Sequence, residues 1–274
     1  MDLTQSILLG IIQGLTEFLP VSSSGHLVLL QNLFGIKEPE LLFDICLHGG
    51  TLVAVFIVFS KDIKRIGLTL LKLPFFIKSG HGFKNLFQNN EEIRMALLII
   101  IGSIPTAILG LLFKEITEHI FSSVRLVGMM LLITGSFLWL SKKVPSKGRL
   151  INQMTIKDAL VIGLVQGLAI IPGISRSGAT ICAALFLGID RRLAGQFSFL
   201  LSIPAILGAL LLSFDLSAST TGISTTMIFA GTIAASLIGF MALKILLQVV
   251  HNGHLYYFAP YCWLVAMAAF IYGF

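Results

Sequence analysis

Charge is scarce in this sequence. Only 12% of its 274 residues are charged, and thirteen are acidic. A soluble domain carries about 25% charged residues, so this chain cannot cover the surface of a water-soluble globule. Cysteine is also sparse. Cys46, Cys182 and Cys262 all lie in apolar stretches. They show neither metal-ligand spacing nor a disulfide pattern, and read as small packing residues. Met1-Asp2-Leu3-Thr4-Gln5 lacks a basic n-region, so no cleaved signal peptide is expected and the first segment belongs to the mature protein.

What is abundant is apolar. Hydrophobic residues make up 56% of the chain, in recurring runs of about 20, the length that crosses a bilayer. The expected fold is an all-α integral membrane protein. Six spans are expected at about 41–60, 94–113, 121–141, 194–213, 223–247 and 255–273. Two more apolar segments, 3–34 and 156–189, are interrupted by Leu19-Pro20-Val21-Ser22-Ser23-Ser24-Gly25 and Pro172-Gly173-Ile174-Ser175-Arg176-Ser177-Gly178. Each reads as a re-entrant helical hairpin, because irregular backbone at membrane depth is tolerated only inside protein or beside a wet cavity.

The net charge of +6 does not imply a nucleic-acid partner, because the basic residues cluster in loops. Lys61, Lys64, Arg65, Lys72, Lys78 and Lys84 lie in 61–93, and Lys142, Lys143, Lys147, Arg149 and Lys157 lie in 142–157. The positive-inside rule makes both loops cytoplasmic and both termini external. The 61–93 loop is partly amphipathic and is expected to rest on anionic membrane lipid.

This order predicts an inverted-topology repeat: residues 1–141, a basic linker 142–157, and residues 158–274. A shift of 153 residues aligns Gln13-Gly14-Leu15 with Gln166-Gly167-Leu168, and Ser22, Ser24 and Gly25 with Ser175, Ser177 and Gly178.

Such repeats bring their broken helices together near the midplane. Helices expected to start near His26 and Ala179 would then present free N–H groups to an anion. Glu17 and His26 in the first turn, and Arg176 in the second, are costly at that depth and functional by default. Arg176 suits phosphate oxygens or an ion pair with Glu17. Glu17 could ligate Mg²⁺ or act as a base. His26 could move a proton. Ser22, Ser23 and Ser24 are hydroxyls beside it, and a serine nucleophile needs a neighbouring base. Gln13 shares a helix face with Glu17. Asp44 and His48 either line the cavity or cap their helix. His81, His119, His251 and His254 read as solvated. A transporter or flippase for a lipid phosphate or small anion would need the same anion site, but has no evident need for Ser23 beside His26.

Gln13-Gly14-Leu15-Thr16-Glu17-Phe18-Leu19-Pro20-Val21-Ser22-Ser23-Ser24-Gly25-His26 resembles the first signature of the undecaprenyl pyrophosphate phosphatases, the bacitracin-resistance type. Pro172-Gly173-Ile174-Ser175-Arg176-Ser177-Gly178-Ala179-Thr180 resembles their second. The resemblance implies hydrolysis of a C55 isoprenoid pyrophosphate to the monophosphate, which recycles the cell-wall lipid carrier. It implies Glu17, Ser23, His26 and Arg176 as catalytic residues. Gln13, Ser22, Ser24, Gly25, Ser175, Ser177, Gly178 and Thr180 would bind substrate. A divalent cation, Mg²⁺ or Ca²⁺, would sit on Glu17 and Gln13, although Gln13 stands where some members carry Glu. The expected mechanism has Ser23 attacking with His26 as proton acceptor, or else His26 or a metal-bound water attacking directly. The resemblance further implies the bacterial cytoplasmic membrane, a site open to the outer side and a homodimer. Bacitracin would compete for the substrate rather than bind the protein.

Overall fold

The computed structural model describes residues 2–34, 41–78, 87–113, 123–214 and 224–272. Among these the chain is helical, with no strand and one isolated bridge between Arg149 and Ile189. The helices are α1 (Leu3–Phe18), α2 (Ser23–Leu33), α3 (Leu41–Val58), α4 (Ser60–Lys78), α5 (Glu91–Phe113), α6 (Val124–Leu140), α7 (Ile156–Leu168), α8 (Arg176–Phe186), α9 (Arg191–Phe214), α10 (Thr225–Asn252) and α11 (Ala259–Tyr272).

A helix lies at each of the six expected stretches. Helices α5, α6, α9 and α10 are long and apolar enough to cross a membrane. Helices α3 and α4 meet the same test only together, and they bend by 78° at their junction. The apolar stretch that includes α11 is shorter. The expected 61–93 loop therefore begins as helix α4. Ile63 and Ile66 pack inward, while Leu71 and Phe75 are 79% and 72% exposed. His81, His119, Lys84 and Lys114 lie outside the described residues.

Apolar surface is turned outward, as a lipid solvent requires. On α10, Phe229, Ile233, Leu237, Met241 and Ile245 recur every fourth residue and are all exposed. The opposite face buries Gly231, Ala235, Gly239 and Ala242. Large residues face out and small ones face in because helices in lipid associate by close backbone approach.

That approach is closest at two equivalent crossings. Helix α1 packs on α10, where a Cβ added to Gly10 would stand 2.2 Å from the Gly231 carbonyl oxygen. Helix α7 packs on α5, where a Cβ on Gly163 would stand 1.8 Å from the Gly102 oxygen. Gly163→Ala must push α7 off α5. We expect a loss of about 1–3 kcal/mol, typical of overpacking, read as a lower unfolding temperature in detergent. Gly67→Ala on α4, which meets nothing within 4 Å, should leave the unfolding temperature unchanged.

Other contacts hold the broken segments in place. Phe18 is fully buried and packs edge-on against Phe199 at 5.7 Å, which sets the end of α1 inside the protein. On the 142–157 linker, Arg149 forks onto both Asp158 oxygens at 2.8 and 2.9 Å and also donates to the Leu187 carbonyl. The linker is thereby tied to α7 and to the end of α8.

Candidate active site

Both broken segments turn between short helices, but the helices begin earlier than expected. Helix α2 starts at Ser23 and α8 at Arg176, rather than near His26 and Ala179. The reason is capping. Ser175 Oγ accepts the Gly178 N–H at 3.1 Å, and Ser22 Oγ accepts the Gly25 N–H at 3.3 Å. In each case the serine carbonyl also accepts the first helical bond, from Ala179 and His26 respectively. Ser23 and Ser24, and likewise Arg176 and Ser177, thus occupy first turns whose N–H groups have no helical partner.

The two turns are in contact. Ser22 Oγ also accepts the Gly173 N–H at 3.1 Å, across 151 residues of sequence. A Cβ on Gly178 would lie 3.0 Å from Pro20, and one on Gly25 would lie 3.3 Å from Gly173 Cα. Gly173 has φ +97° and Ser22 has φ +69°, the left-handed region that L side chains rarely adopt. Ser22 is buried and serves two N–H groups from this position. Ser22→Ala leaves the Gly25 and Gly173 N–H groups unpaired, which costs about 1–3 kcal/mol per buried orphan. The expected result is a lower unfolding temperature, together with weaker substrate turnover because the turns lose their tie.

Glu17 is the hub where the two turns meet. Its Oε1 accepts from Arg176 Nη2. Its Oε2 accepts from Ser23 Oγ at 2.7 Å and from Gln13 Nε2 at 3.0 Å, and lies 3.4 Å from His48 Nε2. Glu17, Gln13 and His26 are buried. Two polar atoms here lack protein partners although they are buried: Arg176 Nη1 and Gln13 Oε1. An unpaired buried polar atom is expensive, and a ligand relieves that cost.

His26 belongs to a second circuit. Its Nδ1 lies 2.8 Å from the Ser22 carbonyl oxygen, and its Nε2 lies 2.8 Å from the Tyr261 hydroxyl. The expectation that Ser23 leans on His26 is corrected here. Both ring nitrogens are occupied elsewhere, and Ser23 donates to Glu17. The cause is the earlier start of α2, which places Ser23 at the first helical position and turns it toward α1.

The remaining predicted residues support the turns. Ser24 Oγ lies 3.4 Å from Ser22 Oγ, and Ser177 Oγ lies 3.2 Å from Ser175 Oγ. Thr180 donates to the Arg176 carbonyl at 2.8 Å and meets Ser198 Oγ at 2.5 Å, so it anchors α8 rather than facing Glu17. Thr134 was not foreseen. It donates to the Gly173 carbonyl at 2.9 Å and accepts the Ser175 N–H at 3.1 Å, bracing the second turn. Its only signal is a hydroxyl inside an apolar span. Tyr261 was also missed, and in sequence nothing separates it from interfacial aromatics. Asp44, weighed beside His48, accepts from Gln31 at 2.8 Å.

Two hard oxygens, the Glu17 carboxylate and the unpaired Gln13 amide oxygen, suit Mg²⁺ or Ca²⁺. Among the described residues no cluster of three His, Cys, Asp or Glu exists to form a closed metal cage. Mg²⁺ is commonly held by one or two carboxylates with substrate phosphates completing its shell, which is the arrangement these donors permit.

A buried carboxylate shared by a serine hydroxyl and an arginine, beside two open helix starts, offers a nucleophile and donors suited to a phosphate. Comparison with known proteins gives the family. The family described as "Bacitracin resistance protein BacA" matches residues 6–268. The chain belongs to that family. A relative from Desulforapulum autotrophicum is 50% identical over 274 residues, covering 100% of this chain and 99% of its own length. A relative from Desulfatibacillum aliphaticivorans is 50% identical over 266 residues, 97% and 96% of the two chains. One from Halothermothrix orenii is 44% identical over 273 residues, 99% and 98%. All three carry the name undecaprenyl-diphosphatase. Family membership spans both turns and every helix of the site.

Proposed function

We propose that this protein hydrolyses undecaprenyl pyrophosphate to undecaprenyl phosphate and inorganic phosphate, returning the lipid carrier to cell-wall synthesis. The observation that carries the reading is the Arg176 guanidinium, with Nη2 on Glu17 and Nη1 buried and unpaired. A pyrophosphate oxygen supplies the missing partner, and the open N–H groups at the starts of α2 and α8 supply more. Positioning and electrostatics of this kind dominate phosphoryl transfer.

Ser23 is the nucleophile best supported by geometry. Its Oγ attacks the terminal phosphorus as its proton passes to Glu17 Oε2, 2.7 Å away. The anhydride P–O bond breaks and the prenyl monophosphate leaves. Water then attacks the phosphoserine and the Oγ–P bond breaks; Ser23 recovers its proton from Glu17, and the proton that the water gives up is taken by His26. Gln13 and Glu17 would hold a divalent cation, which neutralises phosphate charge when bound.

The membrane arrangement extends the same reading. We place α1–α2 and α7–α8 as re-entrant hairpins of an inverted repeat, with residues 1–141 and 158–274 as its halves and six spans between them. The matched crossings of Gly10 on α10 and Gly163 on α5 support it, since Gly10 and Gly163 are related by the same 153-residue shift as the turns. We place the site's opening on the outer side of the cytoplasmic membrane, a reading that the basic loops support. Helix α4, with Lys61, Lys64, Arg65 and Lys72 beside exposed Leu71 and Phe75, rests on anionic lipid of the inner leaflet.

Product analysis tests the reaction class. Purified protein incubated with a long-chain prenyl pyrophosphate should yield prenyl monophosphate and inorganic phosphate in equal amounts by mass spectrometry and phosphate assay. Prenyl alcohol with intact pyrophosphate would mean ester cleavage and would overturn the proposal.

A further inference from the structure

Tyr261 lies 235 residues from His26 in sequence, yet its hydroxyl is 2.8 Å from His26 Nε2. The two rings are nearly parallel, at 4°, with centroids 5.7 Å apart. Helix α11 is held there by its buried face, Ala259, Cys262 and Ala266. The Cys262 thiol donates to the Pro20 carbonyl at 3.6 Å. The first turn of α11 is therefore fixed against the first catalytic turn, and Tyr261 follows from that placement.

Hydrogen-bond roles follow from elementary chemistry. A carbonyl oxygen only accepts, so Nδ1 must carry the proton that bonds to Ser22. In the neutral ring Nε2 is then an acceptor, and the Tyr261 hydroxyl donates to it. His26 is 8% exposed and Tyr261 is 44% exposed. The phenol thus caps a buried imidazole and is itself open to the surroundings. Ser23 draws on Glu17 instead, so the imidazole is not consumed in activating that hydroxyl.

We infer that Tyr261 is a positioning residue for the phosphatase reaction, fixing the orientation of the His26 ring, in the tautomer that Ser22 sets, so that Nε2 can accept a proton during turnover. The inference deepens the proposed function and rests on it for its activity arm. Without the phenol hydroxyl the ring keeps one hydrogen bond, to Ser22, and loses the one that fixes Nε2. A misplacement of about 1 Å at a reacting group can cost about 100-fold in rate.

The test uses the full chain in lipid or detergent. Tyr261→Phe keeps the ring and removes only the hydroxyl. Its kcat should fall by at least about tenfold while KM stays within about twofold, since the loss is in orientation and not in binding. Tyr261→Ala should match Tyr261→Phe, because the hydroxyl and not the ring carries the effect. Independently of activity, ¹⁵N spectra of the His26 ring should report an Nδ1-protonated imidazole in both wild type and Tyr261→Phe, with the Nε2 resonance shifted in Tyr261→Phe because it has lost its hydrogen bond. Unchanged kcat with an unchanged ¹⁵N signature, or a change in KM alone, would overturn the inference. If wild type releases no phosphate, the hydrolase reading and this role both fail, and the ¹⁵N comparison still decides the contact itself.

Discussion

Arg176→Ala should lower phosphate release by about a thousandfold or more. Removing one preorganised donor from a developing charge costs about 10²–10³ in kcat, and Arg176 supplies both a donor and a full positive charge. It is also the partner of Glu17 across 159 residues of sequence. Its loss leaves that buried carboxylate without its arginine, with His48 Nε2 at 3.4 Å. Breaking a buried pair is destabilising by about 3–5 kcal/mol, so the variant must be compared at a temperature where it stays monodisperse. Arg176→Lys separates charge from geometry. It keeps the charge that Glu17 needs, but a lysine cannot hold a carboxylate and a phosphate with one planar fork. Arg176→Lys should therefore fold normally and remain at least about tenfold slower than wild type. Wild-type turnover in Arg176→Lys would show that charge alone suffices.

Ser23→Ala should be the second large loss, again about a thousandfold. The substitution removes the hydroxyl that donates to Glu17 Oε2 at 2.7 Å. Gln13 Nε2 and Arg176 remain on that carboxylate, so the hub keeps most of its partners and the protein should fold. Acid quenching during turnover of substrate labelled at the terminal phosphate should trap label on wild type and none on Ser23→Ala. Label that persists on Ser23→Ala would move the nucleophile to another residue. Equal turnover by both proteins would show that water attacks directly.

The two Ser/Gly turns and the charged residues beside them were legible in the sequence because each breaks a rule. Pro, Gly and Ser interrupt apolar helices, and Glu17, His26 and Arg176 are titratable groups where lipid excludes them. The Glu17–Arg176 pair was foreseen as one of two roles for Arg176, and the structure brings these residues together. The helix starts were misplaced by three residues because capping is decided by a single hydroxyl. Ser22 and Ser175 accept the N–H three residues on, and a run of serines gives no hint as to which one caps. That offset decided the local chemistry, since it turned Ser23 toward Glu17.

The partners of Tyr261 and His48 were not legible, although His48 was weighed as lining the cavity. Tyr261 reaches His26 because α11 packs beside the first turn, and His48 reaches Glu17 because α3 lies beside α1. Neither is visible as a spacing along the chain. The packing glycines show the same divide. Gly10 and Gly163 are two of many glycines in the sequence, and only the approach of α10 and α5 marks them as points of near-backbone contact.

The measurement that bears most directly on the whole account is phosphate release from a long-chain prenyl pyrophosphate by the detergent-purified wild-type protein, with Mg²⁺, with Ca²⁺ and with EDTA. The account predicts steady release with a divalent cation and a strong fall with EDTA. A well-folded protein that releases no phosphate with either cation would contradict it.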